Sequence, residues 1–192
     1  MIGAAFDSVL IAAREGAEWA WERIYRDLAG QVRAYLRLRG AADPDDLLGE
    51  TFLVVARGIA RFEGDERAFR SWVFLTAHHR LLDALRRAAR RPVAADLVDP
   101  PELPAPDDPE AEAIAALGTD RVRRLLDTLT AEQRDVLTLR IVGELTVNEI
   151  AELLGKEPGA VKALQRRALR RLRKILESPV PLSGPATLTG GR

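Results

Sequence analysis

The side chains best suited to do chemistry in this 192-residue chain crowd one short stretch: Lys162, Gln165, Arg166, Arg167, Arg170, Arg171, Arg173 and Lys174. Val161, Leu164, Ala168, Leu172 and Ile175 run between them at helical spacing, so one face is buried and the basic groups lie outside or flank it. Arg and Lys donate to guanine edges and Gln pairs bidentately with adenine, while the basic residues from Arg170 onward suit phosphate oxygens. The preceding residues supply the aim. Thr146 and Glu149 form a capping box ahead of Ile150, Leu153 and Leu154, a Gly155-Lys156-Glu157 turn follows, and Pro158 takes the first helical position. Two helices joined by a tight glycine turn make a helix-turn-helix, whose second helix fits the major groove. A merely solvated basic face explains the charge but not the caps and the turn.

Enzymatic chemistry has little to work with. There is no cysteine, which removes disulfides, thiolate metal sites, iron–sulfur clusters and a cysteine nucleophile. The two histidines, His78 and His79, are neighbours on one helix and point about 100° apart, so they do not share a metal. His79 stands four after Leu75 and three before Leu82, which predicts a satisfied, partly buried imidazole. No phosphate-binding glycine loop or nucleophile–base pattern is present. No catalytic residue, metal or cofactor is therefore expected.

The elements that position the basic helix divide the chain in two. In the first module, residues 1–92, Trp21, Ile24, Tyr25, Leu28, Val32, Tyr35 and Leu36 mark one helix. Asp43, Pro44, Asp45 and Asp46 start a second, whose Leu48, Phe52, Val55, Ile59 and Phe62 form a narrow seam suited to a partner helix. After Glu63, Gly64 and Asp65, a third run places Trp72, Leu75, Leu82 and Leu85 on one side; Trp72 reads as core before it reads as a stacking platform. In the second module, residues 121–177, Val122, Leu125, Leu126 and Leu129 form a short helix, and a Thr130/Gln133 capping box precedes Val136, Leu137 and Ile141. Between the modules, residues 93–120 hold no basic and 8 acidic side chains, with Pro100, Pro101, Pro104, Pro106 and Pro109. Such a stretch predicts an extended linker that holds the modules well apart. The fold class expected is all-α: two small helical domains joined by an acidic, proline-rich linker. Residues 178–192 predict a disordered tail. No window reaches the apolar length of a spanning helix and no export signal leads the chain, so a cytoplasmic protein without membrane insertion is expected.

With these elements placed, the chain resembles the extracytoplasmic-function group of bacterial sigma factors, over about Ala17 to Leu176. Asp43 to Phe52 is similar to the group's D-x-E-D-L-x-Q-E-x-F signature, and Phe69-Arg70-Ser71-Trp72-Val73 and Ala77 to Asp83 to its F-R-x-W-L and A-R-N-x-x-x-D segments, all in region 2. Leu129 to Arg134, Glu149 to Gly155 and Gly159 to Lys162 are similar to region 4. The resemblance implies a region 2 helical bundle and a region 4 helix-turn-helix, and an alternative sigma factor as the function. Core RNA polymerase, through the clamp helices of its largest subunits, promoter DNA and an anti-sigma factor are the implied partners. Core polymerase binding then falls on Asp45, Asp46, Leu48, Glu50, Phe52 and Val55. Reading and melting of the −10 element falls on Arg61, Phe62, Gly64, Asp65, Arg67, His78, His79, Asp83, Arg86 and Arg87, with the Arg61 to Arg67 break receiving a flipped base. Reading of the −35 element falls on Thr146, Lys156, Lys162, Ala163, Gln165, Arg166, Arg167 and Arg170. The acidic residues Asp96, Asp99, Glu102, Asp107, Asp108, Glu110 and Glu112 would travel through the polymerase as a nucleic-acid mimic.

Three positions depart from the group's pattern: Gly49 replaces the usual Gln, His79 the usual Asn, and Ala163-Leu164 the Ser-Arg that often follows Val-Lys. The competing function is a conventional helix-turn-helix regulator that dimerises on palindromic duplex DNA. A protein-binding helical adaptor would leave the basic helix unused.

Overall fold

The computed structural model describes residues 2–90 and 120–177, and every regular element among them is helical. A 3₁₀ turn, Gly3–Ala5, leads into α1 (Phe6–Arg14), followed by α2 (Glu18–Leu38) and α3 (Pro44–Gly58). A second 3₁₀ turn, Ile59–Arg61, and a short loop lead to α4 (Glu66–Arg90). The second module contains α5 (residues 120–127), α6 (Ala131–Ile141), α7 (Val147–Leu154) and α8 (Pro158–Glu177). The expected all-α class holds. Asp120, assigned to the linker, is already helical. The roles expected of the acidic residues from Asp96 to Glu112 and of the tail lie outside the described residues.

The helix starts follow from local chemistry. The Asp43 carboxylate accepts from the N–H groups of Asp45 (3.1 Å) and Asp46 (2.9 Å), with Pro44 inside the first turn. Both capping boxes form, Thr130 with Gln133 and Thr146 with Glu149. Each satisfies two backbone donors that would otherwise be orphaned.

Two expectations about packing are corrected. The third run was expected to bury Trp72, Leu75, Leu82 and Leu85, but α4 instead buries Phe69, Val73, Phe74, Ala77 and Leu81, and Leu85 is exposed. The buried face is rotated because α2 and α3 pack there, and with it goes the histidine assignment: His78 is buried and His79 exposed. The first helix of the chain, α1, was not anticipated, although Phe6, Val9, Leu10 and Ala13 have helical spacing and are all buried.

The modules were also expected to stand apart, yet they pack directly. Val136, Leu139, Leu145, Ile150, Val161 and Leu164 of the second module join the same apolar core as Ile24, Val32, Leu36, Phe74 and Leu81 of the first. Phe74 lies over Gly143, where a Cβ would come within 3.3 Å of its ring. Each buried Leu or Phe contributes about 1.5–3 kcal/mol over exposure, so these faces gain by meeting rather than remaining wet.

Candidate nucleic-acid interface

Helix α8 is aimed by the turn before it. Gly155 adopts φ +61°, a left-handed conformation that costs a glycine little, and closes α7 with Gly155 N–H donating to Glu152 O (3.2 Å) and Lys156 N–H to Ala151 O (2.8 Å). Pro158 then opens α8. Val161, Leu164 and Ala168 are buried, which turns Lys162, Gln165, Arg166, Leu169, Arg170 and Arg173 into one outward strip along a shallow groove. Arg167 is exposed beside the strip and Ala163 is half-buried. This arrangement offers guanidinium, ammonium and amide donors to base edges and phosphates together. Lys156 and Thr146 serve the scaffold in this conformation. The Lys156 Nζ lies 2.6 Å from Glu132 and holds that carboxyl below its usual range, and the Thr146 hydroxyl donates to Glu149 at 2.7 Å. Burial pushes the Glu149 carboxyl up, but its bonds to Thr146 and the nearby Arg67 outweigh that and leave it lowered.

The break between α3 and α4 carries an aromatic platform. Phe62 stacks on Trp72 with centroids 5.3 Å apart and planes 17° apart, and meets Phe69 edge-on at 5.2 Å. Trp72 and Phe62 are both half-buried, so Trp72 is core on one side and available on the other. Gly64 has φ +144°, and a Cβ there would lie 2.8 Å from Ala68. Asp65 caps α4 by accepting from Ala68 N–H at 2.8 Å. Arg61 is exposed, and Arg67 meets Glu149 of α7 at 3.3 Å.

Further along α4, Asp83 lies between Arg80 and Arg86 (3.8 and 3.2 Å), and Arg87 donates to its carbonyl at 3.4 Å. Arg57, Arg80, Arg86, Arg87 and Arg90 line a cleft with Leu53 and Val54. The sequence pointed only to Arg86 and Arg87 among these arginines; Arg80 and Arg90 share their face of α4 at helical spacing, and Arg57 joins them because α3 and α4 pack side by side, a proximity without a local pattern. His78 does not reach this surface. Its Nδ1 shares a hydrogen bond with the buried Tyr35 hydroxyl at 2.7 Å, and burial holds its pKa low while pushing that of Tyr35 up. His79 faces outward, along a groove it lines with Asp83 and Arg86.

On α3, Asp45 and Asp46 are exposed at the positive helix end, and Asp45 pairs with Arg33 at 2.6 Å. The apolar seam expected to meet a partner is turned inward: Leu48 and Val55 are buried, and Phe52 packs on Tyr25 at 4.9 Å. The outward apolar groups are Leu53 and Val54, beside the half-buried Glu50. A pure period-of-3.5 pattern does not distinguish a seam for a partner from one for the protein's own α2 and α4.

No group of three or more His, Asp or Glu suited to a metal occurs among the described residues, and none of their helices is long and apolar enough to cross a membrane. Two family models match the chain: Sigma-70 region 2 over residues 20–91 and Sigma-70, region 4 over residues 125–174. The ECF RNA polymerase sigma factor ShbA of Streptomyces griseus is 37% identical over 137 residues, 69% of this chain and 71% of the relative. The ECF RNA polymerase sigma factor SigD of Mycobacterium tuberculosis is 32% identical over 180 residues, 90% of this chain and 84% of the relative. Among solved structures, CnrH in complex with the cytosolic domain of CnrY superposes with a TM-score of 0.67 at 23% identity, over 92% of this chain and 99% of that one, a likeness of fold.

Proposed function

The chain belongs to the sigma-70 family, in the extracytoplasmic-function group of RNA polymerase sigma factors, and acts as an alternative sigma factor; from that membership we propose how its surfaces divide the work. Residues 1–92 bind core polymerase and read and open the −10 element, and residues 121–177 read the −35 element. The observation that carries this division is the outward strip of α8 directly after a capped glycine turn.

In the −35 duplex, Lys162, Gln165 and Arg166 reach base edges from the N-terminal half of α8, while Arg167, Arg170 and Arg173 contact phosphates and set register. At the −10 element, Phe62 and Trp72 offer a stacking surface to an extruded base, and Arg61 and Arg67 supply positive charge for the unpaired strand. His79, Arg86 and Arg87 line the upstream edge. Arg67 exchanges Glu149 for phosphate when the strand arrives. Core polymerase meets α3 through Asp45, Asp46, Glu50 and the outward Leu53, with Leu48, Phe52 and Val55 shaping that surface from beneath.

The role is non-catalytic: the chain lends specificity to a polymerase in the cytoplasm. A solved relative of similar fold, RpoE of Bartonella quintana, is in complex with the anti-sigma factor NepR, and a partner of that kind is proposed for this chain as well.

The test is to combine the purified protein with core bacterial RNA polymerase free of other sigma factors and sequence transcript 5′ ends from fragmented genomic DNA. Start sites sharing two spaced upstream motifs are expected. Failure to co-elute with core polymerase, together with a shift of palindromic duplex, would favour the conventional regulator instead.

A further inference from the structure

The loop that the proposed function assigns to base capture is held at both ends by a helix that lies outside the region 2 match, which begins at residue 20. At the loop's entrance, Arg14 in the last turn of α1 donates through Nε to Ile59 O (3.3 Å) and through Nη2 to Phe62 O. At its exit, the Glu66 carboxylate that opens α4 accepts from the backbone N–H groups of Ile2 and of Gly3 (3.0 Å), at the start of the 3₁₀ turn that leads into α1. Between these points Phe6 packs on Phe69 at 5.6 Å, and Phe69 in turn meets both Phe62 and Trp72. Helix α1 is itself anchored, since Trp21 Nε1–H donates to Ala13 O at 3.1 Å.

The two carbonyls that Arg14 takes up mark the end of the 3₁₀ turn, one still bonded within it and one beyond it. Ile59 O accepts one bond from Phe62 N–H (3.2 Å), and Phe62 then swings to extended backbone (φ −69°, ψ 132°) with its carbonyl outside the turn. A planar guanidinium bridges two such acceptors in a fixed fork, and an ammonium engages them as a point charge. Within the loop Phe62 is held by Trp72 and Phe69 and Asp65 caps α4, while Arg61 is exposed and Gly64 sits in a backbone region that only glycine adopts readily, so Arg14 adds the backbone anchor at the entrance.

We propose that α1 is a brace for the base-capturing loop, with Arg14 and Glu66 as positioning residues that set the Phe62–Trp72 platform before the −10 strand arrives. Preorganisation of this kind acts on the step that captures the extruded base and not on the initial duplex encounter. This inference rests on the assignment of the loop to −10 capture.

The experiment uses holoenzyme reconstituted from the full chain and core polymerase on a duplex promoter that it transcribes. Initial promoter affinity and the rate of isomerisation to the open complex are measured separately for wild type, Arg14→Ala, Arg14→Lys, Glu66→Gln and the double loop variant Arg61→Ala/Phe62→Ala. Arg14→Ala is expected to slow isomerisation about tenfold, which corresponds to roughly 1.4 kcal/mol, with initial affinity and core binding unchanged. Arg14→Lys should recover part of that rate, and Glu66→Gln should slow it by a smaller factor. A merely structural role would lower initial affinity and thermal midpoint together and would leave no such split. If Arg14→Ala and Glu66→Gln isomerise at the wild-type rate while the loop variant is slow, the brace is wrong and the loop assignment stands. If the loop variant is also at the wild-type rate, the loop assignment itself falls.

Discussion

Deleting the Asp135 carboxylate should loosen the seam between the two modules. Arg39 of the first module and Asp135 of the second are 7% and 8% exposed, with Arg39 Nε 2.6 Å from Asp135 Oδ1. Those two atoms share no directed hydrogen bond, so between them charge attraction is what offsets desolvation, while the guanidinium also bonds the Tyr35 hydroxyl. Such a pair adds little net stability, yet removing one partner strands the other at a cost of about 3–5 kcal/mol. In Asp135→Ala the guanidinium is left against a neutral His78 and the Tyr35 phenol, neither of which can carry a compensating negative charge. The chain escapes that cost by parting the modules and hydrating Arg39. X-ray scattering should show a larger radius of gyration, and the denaturant midpoint should fall. Replacing both partners by apolar residues of similar size, Arg39→Met with Asp135→Leu, should restore compactness and much of the stability, because no charge is then stranded. Unchanged size and midpoint for Asp135→Ala, or a double variant no better than the single one, would refute the reasoning.

Three further outcomes are expected. Gly49 is exposed inside α3 with open space where a Cβ would stand, so Gly49→Ala should raise stability by about 1 kcal/mol and the thermal midpoint by a few degrees, as calorimetry would register. His78 is held below its ordinary value of 6.5, chiefly by burial, with Arg39, His79 and Arg86 adding to the depression and Asp135 opposing it. The unfolded chain therefore takes up the proton first, and stability present above about pH 6.5 should be lost as pH falls from there toward the lowered folded value. Denaturant midpoints between about pH 8 and 5 should drop more steeply for wild type than for His78→Gln, and parallel curves would exclude this account. On a −35 duplex, Arg166→Ala should cost about 1–3 kcal/mol and relax base preference at one position, whereas Arg173→Ala should weaken all sequences alike and reduce the salt slope by about 1. Binding titrations at several salt concentrations distinguish the two, and equal effects on matched and scrambled duplexes would count against Arg166 as a base contact.

Features fixed by neighbours in sequence were legible. Asp43 before Pro44, the paired Thr130/Gln133 and Thr146/Glu149, and Gly155 before Pro158 each state a local hydrogen-bond problem and its solution, and each forms as written. Helix α4 was legible as a helix but not in its orientation. It carries apolar groups on most sides: Phe69 and Phe74 are buried against Phe6, Tyr35 and Gly143, while Trp72, Leu75 and Leu82 face the grooves beside α7. Periodicity cannot choose between two apolar faces, and a 100° error was enough to exchange the fates of His78 and His79. The seam residues of α3 failed for the related reason that an inward and an outward stripe look the same until α2 and α4 are in place.

The arrangement of the modules was the least legible feature, and the buried polar residues show why. Among the described residues, seven polar or charged side chains are buried: Arg39, Thr51, Arg70, Thr76, His78, Asp135 and Thr138. The three threonines return their hydroxyls to a carbonyl one helical turn earlier, Thr51 to Leu47, Thr76 to Trp72 and Thr138 to Arg134, so their helices satisfy them alone. The four ionisable ones gather at the seam, where Arg39 meets Asp135, His78 lies 3.9 Å from the same carboxylate, and Arg70 lies 3.6 Å from Glu144. Arg39 and Asp135 are far apart in the chain, and neither belongs to a pattern that hydrophobic periodicity can detect. The joint is therefore mixed: Val136, Leu139 and Leu164 share one apolar core with Phe74 and Leu81, while the ionisable groups beside them are ones that water can also satisfy if the joint opens, an alternative the Leu and Phe side chains lack.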